Sequence, residues 1–212
     1  MHDAKLIWLT PDAEALVGKI ARVSNPKNEN NPNVEGLLKY LIKHKHWSPF
    51  EMCSMCVEIH TTRAISPQIL RHRSFSFQEF SQRYAIPTDS FATVQPKLRR
   101  QDTENRQNSI DDLAEETLEY YDERIDNHFR QSVELYESLL HSGVAKECAR
   151  DVLPLSTPTT LYMHGNLRSW LTYVDLRSGH GTQLEHKKIA DSVKELIANH
   201  FPQCYAGMWA VD

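Results

Sequence analysis

The stretch EMCSMCVEIHTTRAISPQILRHRSFSFQEFSQRY, Glu51 to Tyr84, decides the fold because it passes from strand to helix and back to strand. In its first part Cys53, Met55, Val57 and Ile59 share one face and Cys56 points to the other, the period-two pattern of a half-buried strand. Ser66 and Pro67 then read as the cap and first residue of a short helix, PQILRHR, whose end delivers Arg71 and Arg73 into a loop or strand. If residues 77 to 84 are extended, Glu79, Ser81 and Arg83 lie on one face while Phe80 and Tyr84 point to the other.

Working outward, a strand is expected near Lys5 to Leu9, then a helix capped by Thr10 with Pro11 first and running to about Val23. SNPKNENNPN is a polar loop, and a second helix spans about Val34 to His44. Thr88 to Ser109 is polar and aperiodic, a long surface loop. Ile110 to His141 carries Leu113, Leu118, Ile125, Phe129, Val133, Tyr136 and Leu140 near helical spacing, and Gly143 stops it. This long aromatic-bearing helix suits a scaffold or a subunit interface. A short helix over Ala145 to Val152, a strand TPTTLYMH, and helices Asn166 to Arg177 and Gln183 to His200 complete the pattern. Irregular alternation without repeats predicts an α+β fold, one domain over residues 1–212, with a largely antiparallel or mixed central sheet flanked by helices.

The chain has 212 residues, 40% hydrophobic and 25% charged, the balance of a globular protein. A net charge of −4 gives no global field for a nucleic-acid backbone, so free nucleotides are the expected ligands and no nucleic acid is. No apolar run has the length of a membrane span and the first residues lack a signal-peptide core, which makes the cytoplasm the expected compartment. The four cysteines do not form a disulfide framework, and the strand separates Cys53 from Cys56. The 11 histidines lack ligand spacing on one element, so no metal is expected. Neither G-x-G-x-x-G after a strand nor G-x-x-x-x-G-K-[ST] occurs.

Two constellations remain. Arg71, Arg73 and Arg83 present planar forks that match phosphate oxygens, and Glu79 beside them suits a partner that donates hydrogen bonds, an arginine or a sugar hydroxyl. The same residues also read as a solvated basic helix end followed by an amphipathic strand, and the pattern alone leaves both open. In NLRSWLTYVDLR, Leu167, Leu171 and Val174 form a core stripe flanked by Asn166, Trp170, Tyr173 and Arg177 on one side and by Arg168 and Thr172 on the other. Arg177 is then either the partner of a neighbouring carboxylate or a fixed positive charge for an anion.

Arg71-His72-Arg73, Ser76, Glu79, Ser81, Arg83 and Tyr84 together resemble the signature of the flavin-dependent thymidylate synthases. The resemblance extends to H-x-[ST]-P-F-E at His46 to Glu51, A-R-x-x-L-P at Ala149 to Pro154, N-x-R at Asn166 to Arg168, and L-R followed by Q-x-E at Leu176, Arg177, Gln183 and Glu185. It implies conversion of dUMP to dTMP with methylenetetrahydrofolate as carbon donor, FAD as hydride carrier and NADPH as reductant, in a homotetramer with active sites at subunit interfaces. Carried over residue by residue, Gln68, Arg71, Glu79, Phe80, Ser81, Gln82, Arg83, Arg150 and Arg177 would bind dUMP, with Arg150 supplied by a neighbouring subunit. His46, Ser48, Arg71, His72, Arg73, Glu79, Asn166, Leu167, Arg168 and Thr172 would contact FAD. Arg177 would be catalytic, stabilising the uracil ring as its nitrogen-3 anion and raising electron density at carbon 5. The residues leave open a related flavoenzyme that transfers a hydroxymethyl group. A non-catalytic nucleotide- or RNA-binding module fits less well, because no aromatic platform is interleaved with the basic residues.

Overall fold

The structure, a computed structural model, describes residues 1–29, 31–86 and 94–210. In chain order the elements are β1 (Asp3–Leu9), α1 (Ala13–Ala21), α2 (Glu35–Lys43), β2 (Ser54–Thr62), α3 (Ser66–Ile69), β3 (Ser76–Glu79), β4 (Arg100–Gln101), β5 (Ser109–Ile110), α4 (Glu115–His141), α5 (Lys146–Ala149), β6 (Pro158–Asn166), α6 (Leu167–Arg177), α7 (Leu184–His200) and α8 (Pro202–Trp209). The fold is α+β: the central sheet runs β1-β2-β6-β3 with every neighbouring pair antiparallel, as the alternation predicts.

The expected strand face is present. Cys53, Met55, Val57 and Ile59 are buried, and together with Leu161 and Met163 of β6 they form the inner side of the sheet. Helices cover it through Leu38, Leu167, Trp170, Leu171, Val174, Ile189, Val193 and Ile197, all within one apolar cluster. Each such side chain contributes about 1.5–3 kcal/mol when fully buried, so this cluster holds the sheet to α6 and α7. Trp170 also donates its indole N–H to the Met55 carbonyl at 2.9 Å, which fixes α6 against β2.

Several expected boundaries move, each for a local reason. The first helix begins at Ala13, after Asp12 in a left-handed conformation (φ 48), because Thr10 pairs with Ser54 instead of capping it. Ser66 does not cap α3; its hydroxyl donates to Glu79 Oε1 at 2.6 Å. The strand read over residues 77 to 84 ends at Glu79. After a last ladder bond from Phe80 N to the Thr160 carbonyl, Tyr84 N and Ala85 N both turn back to the Ser81 carbonyl, so Ser81 and Arg83 leave the face of Glu79. Tyr84, expected to pack, is exposed.

The segment expected as a surface loop holds the β4–β5 ribbon, closed by Asp102 accepting from the amides of Glu104 and Asn105 and from the Asn108 side chain. Thr88 to Ala92 and Thr93 of that segment lie outside the described residues. Ile110 pairs in this ribbon, so α4 starts only at Glu115. Its end is as expected: Gly143 takes φ +81, and Val144 N and Gly143 N bond back to the carbonyls of Leu139 and Leu140.

Candidate active site

The Arg71–His72–Arg73 triplet sits on a turn between α3 and β3, closed by His72 N to the Ile69 carbonyl at 3.1 Å and Phe75 N to the His72 carbonyl at 3.2 Å. What holds this turn is Phe75, whose ring lies edge-on to Trp170 (4.7 Å between centroids) and Tyr173 (5.8 Å). Gly165 of β6 makes room for that ring, since a Cβ there would stand 2.4 Å from Phe75 Cδ1. Arg71 and Arg73 are exposed and have no carboxylate partner among the described residues.

His72 turns the other way. Its Nε2 accepts from Arg177 Nε at 3.0 Å, linking the triplet to the last residue of α6. Burial first and the Arg177 guanidinium second push the His72 imidazolium down to about 4, so it is neutral near pH 7 and able to accept. Arg177, half-buried, has no carboxylate partner among the described residues and is held by His72 instead, so that no described carboxylate compensates its positive charge. Trp170 and Tyr173, expected to flank the stripe, belong to the core itself.

A second group lies beyond β3. Glu79 Oε1 accepts from Ser66 (2.6 Å), Thr159 (3.0 Å) and Arg63 (2.7 Å), so one carboxylate oxygen is held by three donors and Oε2 is left for another. Gln82 is buried and, with Arg63 and Arg150, lines a cavity of about 310 Å³. Arg150 thus borders this cavity together with Gln82 of its own chain. Arg83 leaves the cavity to pair with Glu147 at 2.9 Å. Phe80 and Ser81 form the start of the turn, with Ser81 Oγ accepting from Arg83 N at 3.4 Å. Arg83 follows β3 and is paired with Glu147, whereas Arg71 and Arg73 precede that strand and have no such partner among the described residues.

The third group surrounds the start of α6. Asn166 is its N-cap, its Oδ1 accepting from Ser169 N at 2.9 Å, and the Leu167 side chain is buried in the core. Arg168 is exposed and pairs with Glu51, drawing the turn that begins at Ser48 against α6. Thr172 spends its hydroxyl on the Arg168 and Ser169 carbonyls, both at 3.0 Å. His46 is exposed just before this turn, edge-on to Tyr40 at 6.0 Å between centroids.

A family model, that of the thymidylate synthase complementing protein, matches residues 5–203. The chain belongs to the family of flavin-dependent thymidylate synthases. It is 50% identical over 207 residues to the "Probable flavin-dependent thymidylate synthase" of Paramecium bursaria Chlorella virus 1, covering 94% of this chain and 95% of that one. It is 49% identical over 195 residues to the flavin-dependent thymidylate synthase of Synechocystis, with 92% and 89% covered. A solved structure of the UMP/dUMP methylase PolB from Streptomyces cacaoi, bound with 5-Br dUMP, superimposes with a TM-score of 0.84 at 26% identity, covering 96% of this chain and 93% of that one. The chain is an enzyme of this family, and its cofactor is a flavin.

The geometry suits the family's ligands. Uncompensated guanidinium groups at Arg71, Arg73 and Arg177 can meet phosphates and an anionic ring, and the spare oxygen of Glu79 can meet a hydroxyl. Sequence reasoning missed Arg63, which clamps Glu79, and His186, which is buried against Tyr173; neither lies in a motif, and only the fold brings them to the site.

Proposed function

We propose that this chain converts dUMP to dTMP, using methylenetetrahydrofolate as carbon donor and NADPH as reductant, with FAD as resident cofactor. The observation that carries this reading is the Arg177–His72 hydrogen bond, because it sets an uncompensated positive charge beside the triplet of the family signature. FAD, when bound, supplies hydride transfer between NADPH and the carbon delivered to the nucleotide. Arg71, Arg73 and Arg168 would hold its phosphates and His72 would be covered by it, with Ser48 and His46 at the same end of α6. Glu79 Oε2 would accept from the ribose of dUMP, Gln82, Arg83 and Arg150 would take its phosphate, and Gln68 its base.

Arg177 would act on the base. A guanidinium donates N–H groups and cannot give up its proton, so it favours the uracil ring in the form deprotonated at nitrogen 3. That form pushes electron density to carbon 5, where the new carbon bond forms. Neutral His72 keeps Arg177 in place without neutralising it, which a carboxylate would do.

The reading includes a homotetramer with composite sites, located in the cytoplasm, without nucleic acid or membrane as partner; no described helix is long and apolar enough to cross a membrane. Support for composite sites comes from the strand register. Glu79 pairs with Leu161, whereas Asn166 ends β6 and Arg168 follows it on α6, so the Glu79 group and the Asn166–Arg168 group of one chain stand roughly 20 Å apart. A second chain that brings its α6 to this chain's Glu79 would close the gap. The absorption spectrum tests the proposal: a yellow protein that bleaches with NADPH in the absence of oxygen, faster with dUMP, is expected, and a colourless protein that FAD cannot reconstitute refutes it.

A further inference from the structure

His186 is fully buried, yet both of its ring nitrogens are bonded: Nε2 lies 3.1 Å from Tyr173 Oη and Nδ1 lies 3.4 Å from Gln68 Oε1. The chain of contacts continues outward. Gln68 Nε2 donates to Gln183 Oε1 at 2.7 Å, Gln183 Nε2 donates to Glu185 Oε2 at 3.0 Å, and Arg99 holds both oxygens of Glu185 at 2.8 and 3.0 Å.

Every link has a direction, and the carboxylate sets all of them. Burial raises the Glu185 pKa, but Arg99, the backbone and Gln183 outweigh it, so the group is ionised and only accepts. Gln183 must then turn its NH₂ to Glu185 and its carbonyl to Gln68. Gln68 must donate at that point, which turns its own carbonyl to His186. His186 must carry its proton on Nδ1 and accept at Nε2 from the Tyr173 hydroxyl. Reversing any one amide sets two acceptors face to face unless the whole chain reverses, and Glu185 forbids that. A second proton on His186 is also disfavoured, since burial and then Arg177 push its pKa down to about 4.

The consequence lies in what Gln68 shows to the site. Its carbonyl points to a fully buried ring, while its NH₂ points to Gln183, which is exposed and borders a cavity of about 400 Å³. One N–H of that NH₂ is used on Gln183 and one remains. The inner end of the relay stands near Arg177: the His186 ring is 6.1 Å from that of His72, which holds Arg177.

We propose that His186 is a positioning residue for base recognition: with Gln183 setting the direction of the Gln68 amide, the buried imidazole anchors its carbonyl and so holds the remaining N–H in place to select a pyrimidine carrying a carbonyl over one carrying an amino group. This rests on the assignment of Gln68 to the base of dUMP. A site built around a fixed donor rejects the wrong group because the donor is then left facing another donor.

The test compares dissociation constants of dUMP and dCMP for the FAD-loaded enzyme, read from the flavin absorbance, in wild type, His186→Leu and His186→Asn. His186→Leu should weaken dUMP and cut the dUMP-over-dCMP preference about tenfold or more, whereas His186→Asn, whose amide N–H stands near the place of Nδ1–H, should keep most of it. An unchanged preference in a folded His186→Leu protein overturns the proposal. Should that variant fail to fold, the imidazole nitrogen shifts of ¹⁵N-labelled wild type decide: an Nδ1–H tautomer at His186 supports the relay and an Nε2–H tautomer overturns it. Wild type that binds neither nucleotide refutes the assignment of dUMP to this site, and the tautomer, read without ligand, still decides the relay.

Discussion

Replacing Arg177 by alanine should raise the pKa of His72 without returning it to the ordinary value. In the folded chain His72 is lowered from 6.5 to about 4, with burial the larger cause and Arg177 the smaller. Arg177 therefore accounts for less than half of that interval, and its removal should bring a rise of at most about 1.2 pH units. The sign follows from charge: a neighbouring cation disfavours the imidazolium, so removing it makes protonation easier. His186, lowered by burial and then by the same arginine, should rise as well. The assay is the pH titration of the histidine Cε1–H signals by NMR from about pH 3 to pH 8, on flavin-free wild type and variant. An unchanged His72 midpoint would show that the 3.0 Å contact is not maintained in solution. A rise all the way to 6.5 would show that burial is not the main cause, contrary to the packing against Phe75 and Tyr173.

Three other outcomes follow from single features. His186 is buried neutral, with a folded pKa of about 4 against an ordinary 6.5, so the unfolded chain takes up its proton first. Its contribution to stability is complete above about pH 6.5 and is lost as pH falls to about 4, by up to roughly 3 kcal/mol; thermal melts across that range should fall more steeply for wild type than for His186→Asn. Gly165→Ala would place a Cβ 2.4 Å from Phe75, displacing the ring that anchors the triplet; a cost of about 1–3 kcal/mol in urea unfolding and a loss of flavin are expected, and a variant with wild-type stability and flavin content would show that the ring is not needed there. Asn166→Ala removes the cap of α6 and should cost about 1 kcal/mol even in the flavin-free protein, which separates its structural role from any flavin contact; equal melting curves would argue against the cap.

Much of the fold was legible because period decides it. The alternation of Cys53, Met55, Val57 and Ile59 marks the central strand, and the long helix ends at Gly143 where the sequence places its stop. Local signals failed where a tertiary partner claimed the group: Ser66 and Thr10 are good caps by type, yet Glu79 and Ser54 hold them. The strand after the triplet looked longer than it is because QEFSQRY alternates, and nothing in that pattern reveals that Gln82 turns into a cavity with Arg63 and Arg150. The chemistry was legible in a different way. Arg177 stood out as a cation beside a core stripe, but whether a carboxylate would neutralise it depended on neighbours distant in sequence, and the side chain that bonds it is His72, from the turn after α3. His186 carried no signal at all, since its meaning comes from a relay whose members lie on α3, α6, α7 and the segment before β4.

The central claim is that an uncompensated Arg177 drives the reaction at the base of dUMP. Its most direct test is dTMP formation by the FAD-loaded enzyme supplied with dUMP, methylenetetrahydrofolate and NADPH, for wild type and Arg177→Ala. Wild type should form dTMP, and the variant should retain flavin while losing turnover by about 10²–10³-fold, the usual loss when one preorganised donor to a developing negative charge is removed. A variant that keeps wild-type turnover, or a flavin-loaded wild type that forms no dTMP, would contradict the account.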